Sequence, residues 1–276
     1  MLELEHEFRI VDVNARLTPE DIGKIRERGR EISPDRLERE LHQAGIVRAI
    51  VSSTPIADAN LIAANNSVAR FSVDRPFVPF ARINGPKSVD TALSGQLSNV
   101  LSRRRSTHTS PADVEQYAYD DRFYGFTLDP AIDGVPDSDV IDQLDAVGLP
   151  ILINGGVDAP PTALAEQFFG RSFPVIVAHF GGYPLNSSLM NEMIDLLDQY
   201  DECYVDTSFV RYRTQLERAL REHPDRVFFG SGAPACHPNV AVMEILTLDV
   251  SEDKLWRAFA KNACRVIEAL APHTEG

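Results

Sequence analysis

The residues of this chain that could do chemistry stand where short apolar runs give way to polar loops. Asp12, Asn14 and Arg16 alternate in Val11-Asp12-Val13-Asn14-Ala15-Arg16, so in an extended segment their side chains share one side. The planar guanidinium of Arg16 matches both oxygens of a carboxylate, and Asn14, Asn154 and His179 are candidates to hold such a molecule with it. His179 is the candidate acid or base, because its ordinary pKa lies near neutrality. Asp206, Ser208, Ser231 and His237 complete the candidate substrate-binding set. Three of these have a structural alternative. Arg16 paired with Asp12 simply fills the interior, His179 bridges neighbouring strands, and Asp206 holds a strand end. Cys236 and His237 form a nucleophile-and-base pair by composition only, since adjacent side chains rarely face each other and no third group orients them.

These residues need elements to position them, and the sequence supplies an alternation. Eight strand-like apolar runs are Phe8–Val13, Val47–Ser52, Phe77–Ile83, Phe123–Leu128, Pro150–Asn154, Pro174–His179, Cys203–Asp206 and Arg226–Gly230. Their continuous apolarity suits parallel strands buried on both faces. Ser33-Pro34 opens a helix that Gly45 closes, and Ser110-Pro111 opens another. Helical patterns at Asp137–Val147, Pro161–Phe169, Leu185–Tyr200, Tyr212–Glu222 and His237–Leu246 fill the later intervals, and two helices, about 252–260 and 262–271, end the chain. The pattern fits a closed barrel or an open doubly wound sheet, and no Gly-x-Gly-x-x-Gly or Walker-type loop favours the open sheet as a nucleotide binder. The expected fold is a (β/α)8 TIM barrel formed by residues 1–276 as one domain, with its chemistry at the strand-to-helix ends.

In order along those ends, Ala178-His179-Phe180-Gly181-Gly182, Gly230-Ser231-x-x-Pro234 and Asn262-Ala263 resemble the amidohydrolase superfamily, in the branch that includes aminocarboxymuconate semialdehyde decarboxylase. The resemblance spans nearly the whole length and implies a metal-dependent-hydrolase type of barrel, with Asp12, Asn14 and Arg16 facing its interior. It also implies metal ligands that are replaced here. Where the family carries Asp-x-His-x-His, this chain has Asp12, Asn14 and Arg16. The strand-5 histidine corresponds to Asn154 and the strand-8 aspartate to Gly232, while the strand-6 histidine remains as His179. Asparagine is a weak ligand, glycine is none, and arginine repels a cation, so neither metal nor other cofactor is expected.

Three functional readings follow. In the first, the barrel has a degraded metal site and binds a small carboxylate-type molecule without turnover. In the second, Arg16, Asn154 and His179 run a metal-independent hydrolysis or decarboxylation of a small carboxylate or lactone. In the third, atypical ligands such as His179, His237 and Asp206 hold a metal.

The 276 residues carry 41 acidic and 27 basic side chains, a net charge of −14, which argues against nucleic acid or an anionic membrane as partner. Only four basic residues are lysines (Lys24, Lys87, Lys254 and Lys261), and an acidic, lysine-poor surface fits a salt-adapted protein, with mere acidity as the alternative. The acidic start Met1–Glu5 lacks the basic-then-apolar order of a secretory leader, and Cys203, Cys236 and Cys264 have no Cys-x-x-Cys spacing, so a cytoplasmic protein with reduced thiols is expected. The expected partners are a small anionic ligand and a second copy of the chain in a homodimer. The basic loop Ser102–His108 reads as solvated, with phosphate binding as its alternative.

Overall fold

The computed structural model describes residues 6–18, 26–27, 30–57, 59–89, 99, 102 and 104–271. Met1–Glu5, Lys24 and Arg103 lie outside them. Eight parallel staves run in chain order: β1 (Ile10–Leu17), β2 (Ile46–Ser53), β3 (Phe77–Pro79, resumed after Phe80 as Ala81–Arg82), β4 (Phe126–Leu128), β5 (Ile151–Gly156), β6 (Val175–Tyr183), β7 (Cys203–Asp206) and β8 (Val227–Phe228). Each pairs with its sequence neighbour, and the Phe80 N–H donates to Val51 O at 2.9 Å across the interruption in β3. The Val13 and Arg16 N–H groups donate to Phe229 O and Ala233 O at 2.9 and 2.8 Å, which closes β1 onto the chain following β8. The result is a closed (β/α)8 barrel, and closure leaves the eight staves no unpaired edge to protect.

Two cores result. Val11, Val13, Ile50, Phe80, Leu152 and Ile176 belong to an inner cluster that Ala263, Ile267 and Leu270 from the C-terminal helices join. Between the staves and the helical ring lies a larger cluster containing Leu37, Leu41, Phe168, Met193 and Leu220. The ring contains α1 (Pro34–Gln43), α2 (Leu61–Ser72), α3 (Pro111–Ala118), α4 (Pro130–Asp133), α5 (Ser138–Val147), α6 (Pro161–Phe168), α7 (Ser187–Leu196), α8 (Arg213–Glu222) and α9 (Pro238–Leu246). Caps expected from the sequence are present: Ser33 accepts from the Arg36 N–H, and Ser110 and Asp113 form a reciprocal capping box.

Several boundaries differ from the sequence expectation. β1 runs on to Leu17, past a register shift between Asp12 and Ala15, which carries Arg16 to the barrel mouth. The two expected C-terminal helices are one run, α10 (Glu252–Trp256) passing through a π-helical turn (Arg257–Lys261) into α11 (Asn262–Val266). Helices α2 and α4 were not expected at all. In α2 the residues Asn65, Asn66 and Ser67 mask the pattern by low propensity, while Ala64 and Val68 are buried and Asn65 is spent on the Arg82 backbone. No helix among the described residues is long and apolar enough to cross a membrane.

Candidate functional site

A cavity of about 370 Å³ opens at the C-terminal ends of the staves, and its polar lining includes Arg16, Thr54, Asp129, Asn154, Asp158 and His179. Tyr183 and Phe209 give it aromatic walls, with ring centroids 5.2 and 5.3 Å from that of His179.

Arg16, near the end of β1, donates from Nη2 to Asn154 Oδ1 at 2.9 Å. Asn154 in β5 in turn donates from Nδ2 to Asp129 Oδ2 at 2.6 Å. Asp129 is the residue before α4, where Pro130 sets the first turn. Arg16 pairs with Asn154 and not with Asp12, and among the described residues no carboxylate oxygen lies within 4 Å of its guanidinium. Burial works against its charge and the field of Asp129 favours it. The other arginine near this wall, Arg82, spends four of its five N–H donors on protein groups: it forms a buried ion pair with Asp133 and donates to Thr54 O and Ile56 O at 3.2 and 3.0 Å.

His179 lies where β6 turns sharply. His179, Phe180 and Gly181 have φ of 61°, 50° and 64°, three consecutive residues in the left-handed region. This region costs a residue with a Cβ of the order of 1 kcal/mol or more, so the turn is held by its surroundings. The His179 N–H donates to Asp206 Oδ1 at 3.2 Å, and Nδ1 lies 3.0 Å from Ser208 O and 2.7 Å from Ser208 Oγ. A carbonyl only accepts, so Nδ1 carries the proton. Ser208 Oγ gives its own proton to Asp206 Oδ1 and accepts one from Asn14 Nδ2 at 3.1 Å. In the neutral ring the lone pair is therefore on Nε2, which has no partner among the described residues. Burial pushes the His179 pKa down, against the field of Asp206, and so favours that neutral form.

The remaining residues named from the sequence lie outside the cavity lining. Asn14 donates to Asp206 Oδ2 at 2.9 Å as well as to Ser208, and so locks β1 to β7. Asp12 accepts from the N–H groups of Asn14 and Ser231, each at 2.9 Å, and from the Ser231 hydroxyl. Burial nevertheless raises its pKa to about 6. Asp12, Asn14, Asp206, Ser208 and Ser231 thus form a buried polar layer below the floor. His237 caps α9, its Nδ1 accepting from the Asn239 N–H at 3.2 Å, and Cys236 Sγ lies 3.2 Å from Arg211 Nη2. Asp129 and Phe209 were not named as site residues. Asp129 was legible as the polar end of Thr127-Leu128-Asp129-Pro130, whereas Phe209 gave no sequence signal.

Gly232, where the resemblance implies an aspartate, has φ of +69°. A Cβ there would lie 2.5 Å from Phe209 Cε2, so an aromatic ring occupies the space a side chain would need. Among the described residues no group of three or more His, Cys, Asp or Glu is placed to hold a metal ion, and His179, His237 and Asp206 are not brought together as one.

The family model described as Amidohydrolase matches residues 94–268, more than half of the chain. The chain belongs to the amidohydrolase family. Solved structures agree on the fold of this amidohydrolase-family chain. A 2,6-dihydroxybenzoate decarboxylase from Rhizobium is 13% identical with a TM-score of 0.65, over 95% of this chain and 99% of that one. A dihydroxybenzoic acid decarboxylase from Polaromonas, with bound manganese and 2-nitroresorcinol, is 15% identical with a TM-score of 0.63, over 96% and 98%. A probable 2-pyrone-4,6-dicarboxylic acid hydrolase from Acinetobacter baumannii, with citric acid bound, is 12% identical with a TM-score of 0.60, over 94% and 99%. No curated protein matches the sequence.

Proposed function

We propose that this amidohydrolase-family barrel binds a small carboxylate at its mouth, through the Arg16 guanidinium and without a divalent metal. One observation carries the reading: among the described residues the Arg16 guanidinium, which lines the cavity, makes a single hydrogen bond, to a neutral amide, and no ion pair within 4 Å. A half-buried guanidinium without a direct ion pair favours an anion in the adjoining cavity, and its spare donors fit both carboxylate oxygens. The apolar walls suit the body of such a molecule, and the structurally similar dihydroxybenzoate decarboxylase and probable pyrone-dicarboxylic acid hydrolase are consistent with that class.

The residues present do not fit a divalent ion. Asn14 and Asn154 spend their amides on Asp206, Ser208 and Asp129, Arg16 puts positive charge into the mouth, and Phe209 fills the space beside Gly232. The test is calorimetric titration with benzoate. The wild type binds it. Arg16→Met weakens binding at least tenfold, the effect of losing one charge-assisted hydrogen-bonded pair of about 1.5–3 kcal/mol. Equal affinity in the two proteins would overturn the reading.

The orientation of His179 favours a second reading, in which the bound molecule also reacts by proton transfer at Nε2. Turnover is then unchanged by chelator and lost in His179→Gln while benzoate binding persists. Chelator-sensitive turnover that survives His179→Gln would exclude it.

A further inference from the structure

Beside the cavity lies a second depression of about 880 Å³, whose lining includes Lys87, Arg105, Thr107 and His108. The two share a wall: Ala131 and Ile132 of α4 line both. The wall is a single helical turn held at its base. Asp133 at its end is ion-paired with buried Arg82, and Asp129 at its start accepts from Asn154, the same amide that meets Arg16.

The far side of this groove is a built loop. Asn84 and Thr109 bond reciprocally, the Asn84 N–H donating to Thr109 Oγ1 at 3.0 Å and the Thr109 N–H to Asn84 Oδ1 at 2.8 Å. Asn84 Nδ2 also donates to Thr107 O at 3.1 Å, and the His108 N–H to Arg105 O at 3.0 Å. The turn that carries Arg105 is therefore tied to the end of β3. Lys87 Nζ lies 3.4 Å from Asp137, which also pairs with Arg104 at 3.2 Å. Among the described residues no carboxylate oxygen lies within 4 Å of the Arg105 guanidinium. The His108 pKa is pushed down by partial burial and then by Arg105, in keeping with a positive field in the groove. A positive groove is notable in a chain of net charge −14, where surface arginines such as Arg218, Arg226 and Arg257 are ion-paired.

We propose that cavity and groove form one bipartite site for a dicarboxylate, with one carboxylate on Arg16, the second at Arg105 and Lys87, and the connecting carbons crossing Ala131 and Ile132. Of the three arginines that line the two spaces, Arg82 is engaged by protein groups, while among the described residues Arg16 and Arg105 keep donors for a ligand. One lies on each side of the shared wall. The inference rests on the Arg16 reading above and extends it to a second anion.

The experiment is calorimetric titration with straight-chain α,ω-dicarboxylates of increasing length, each beside the monocarboxylate of equal length, at low ionic strength. Once the chain spans the wall, the dicarboxylate binds about tenfold more tightly than its monocarboxylate partner. Arg105→Gln with Lys87→Gln removes that step and leaves monocarboxylate affinity, which depends on Arg16, in place. Arg16→Met weakens both series. No difference between the series at any length in the wild type overturns the bipartite site while leaving the Arg16 reading standing. A step that persists in the Arg105 and Lys87 double variant also overturns it. Affinities for both series that Arg16→Met leaves unchanged overturn the Arg16 reading and the bipartite site together.

Discussion

Asp12 and His179 are both buried beside Asp206, and burial acts on them in opposite directions. An acid is pushed toward its neutral form by a raised pKa, a base by a lowered one. For Asp12 the folded value of about 6 lies above the ordinary 3.8, so the native state holds an extra proton between those limits. Stability from this group is complete below about 3.8 and is lost as pH rises through about 6. The net difference of about two units, left after the three hydrogen bonds that Asp12 accepts offset part of the burial effect, corresponds to about 3 kcal/mol. His179 works the other way: its stability is present above the unfolded value near 6.5 and is lost as pH falls below it. The two partly cancel in the wild type, so Asp12 is best isolated by difference. Asp12→Asn keeps the volume and removes the titration. Urea unfolding should place the variant closest to, or above, the wild type at pH 7 and furthest below it at pH 4.5. A gap between the proteins that does not change with pH would show that Asp12 titrates alike in the folded and unfolded chains.

The elements that turn at the barrel mouth are its most constrained parts, and Gly232 tests this. Any side chain there meets a left-handed backbone costing roughly 1–2 kcal/mol, and a Cβ only 2.5 Å from Phe209 Cε2. Gly232→Ala is expected to cost about 2–4 kcal/mol in denaturant unfolding. Phe209→Ala in the same chain relieves the contact but not the backbone term, so the two substitutions should be less than additive. Full additivity would mean that the ring does not fill that space. This site also marks what the sequence could express. The eight staves were legible because they are buried on both faces and read as continuous apolar runs, and the polar ends of β1, β5 and β6 named Arg16, Asn154 and His179, which line the cavity. Positive φ at His179, Phe180 and Phe209 leaves no trace in residues that are not glycine, so neither the turn that aims His179 nor the ring beside Gly232 was visible. Helix α2 was missed because its Asn65 serves the Arg82 backbone and not an amphipathic stripe.

The whole molecule carries 41 acidic against 27 basic side chains, and two opposing effects of salt follow from that imbalance. Ion pairs such as Arg218 with Asp195 and Glu222, or Arg257 with Asp225 and Asp253, weaken as salt rises. Exposed pairs of this kind contribute about 0–1 kcal/mol each. The net charge of −14 repels itself over the whole body, and a chain of this length has a radius of gyration of about 19 Å. The screening length falls from about 30 Å in 0.01 M salt to about 10 Å in 0.1 M and 3 Å in 1 M. Self-repulsion is therefore felt across the molecule only at the lowest salt, whereas the pairs at 2.5–2.9 Å are shorter than the screening length throughout. Relief of repulsion wins. The melting temperature is expected to rise by several degrees between 0.01 and 0.1 M sodium chloride. A surface that is merely acidic levels off beyond that, because little repulsion is left to screen. A salt-adapted surface continues to gain above 1 M, where ordering of ions and water around dense carboxylates replaces screening as the source. A melting temperature that falls from the first addition of salt would show instead that the arginine pairs outweigh the excess charge.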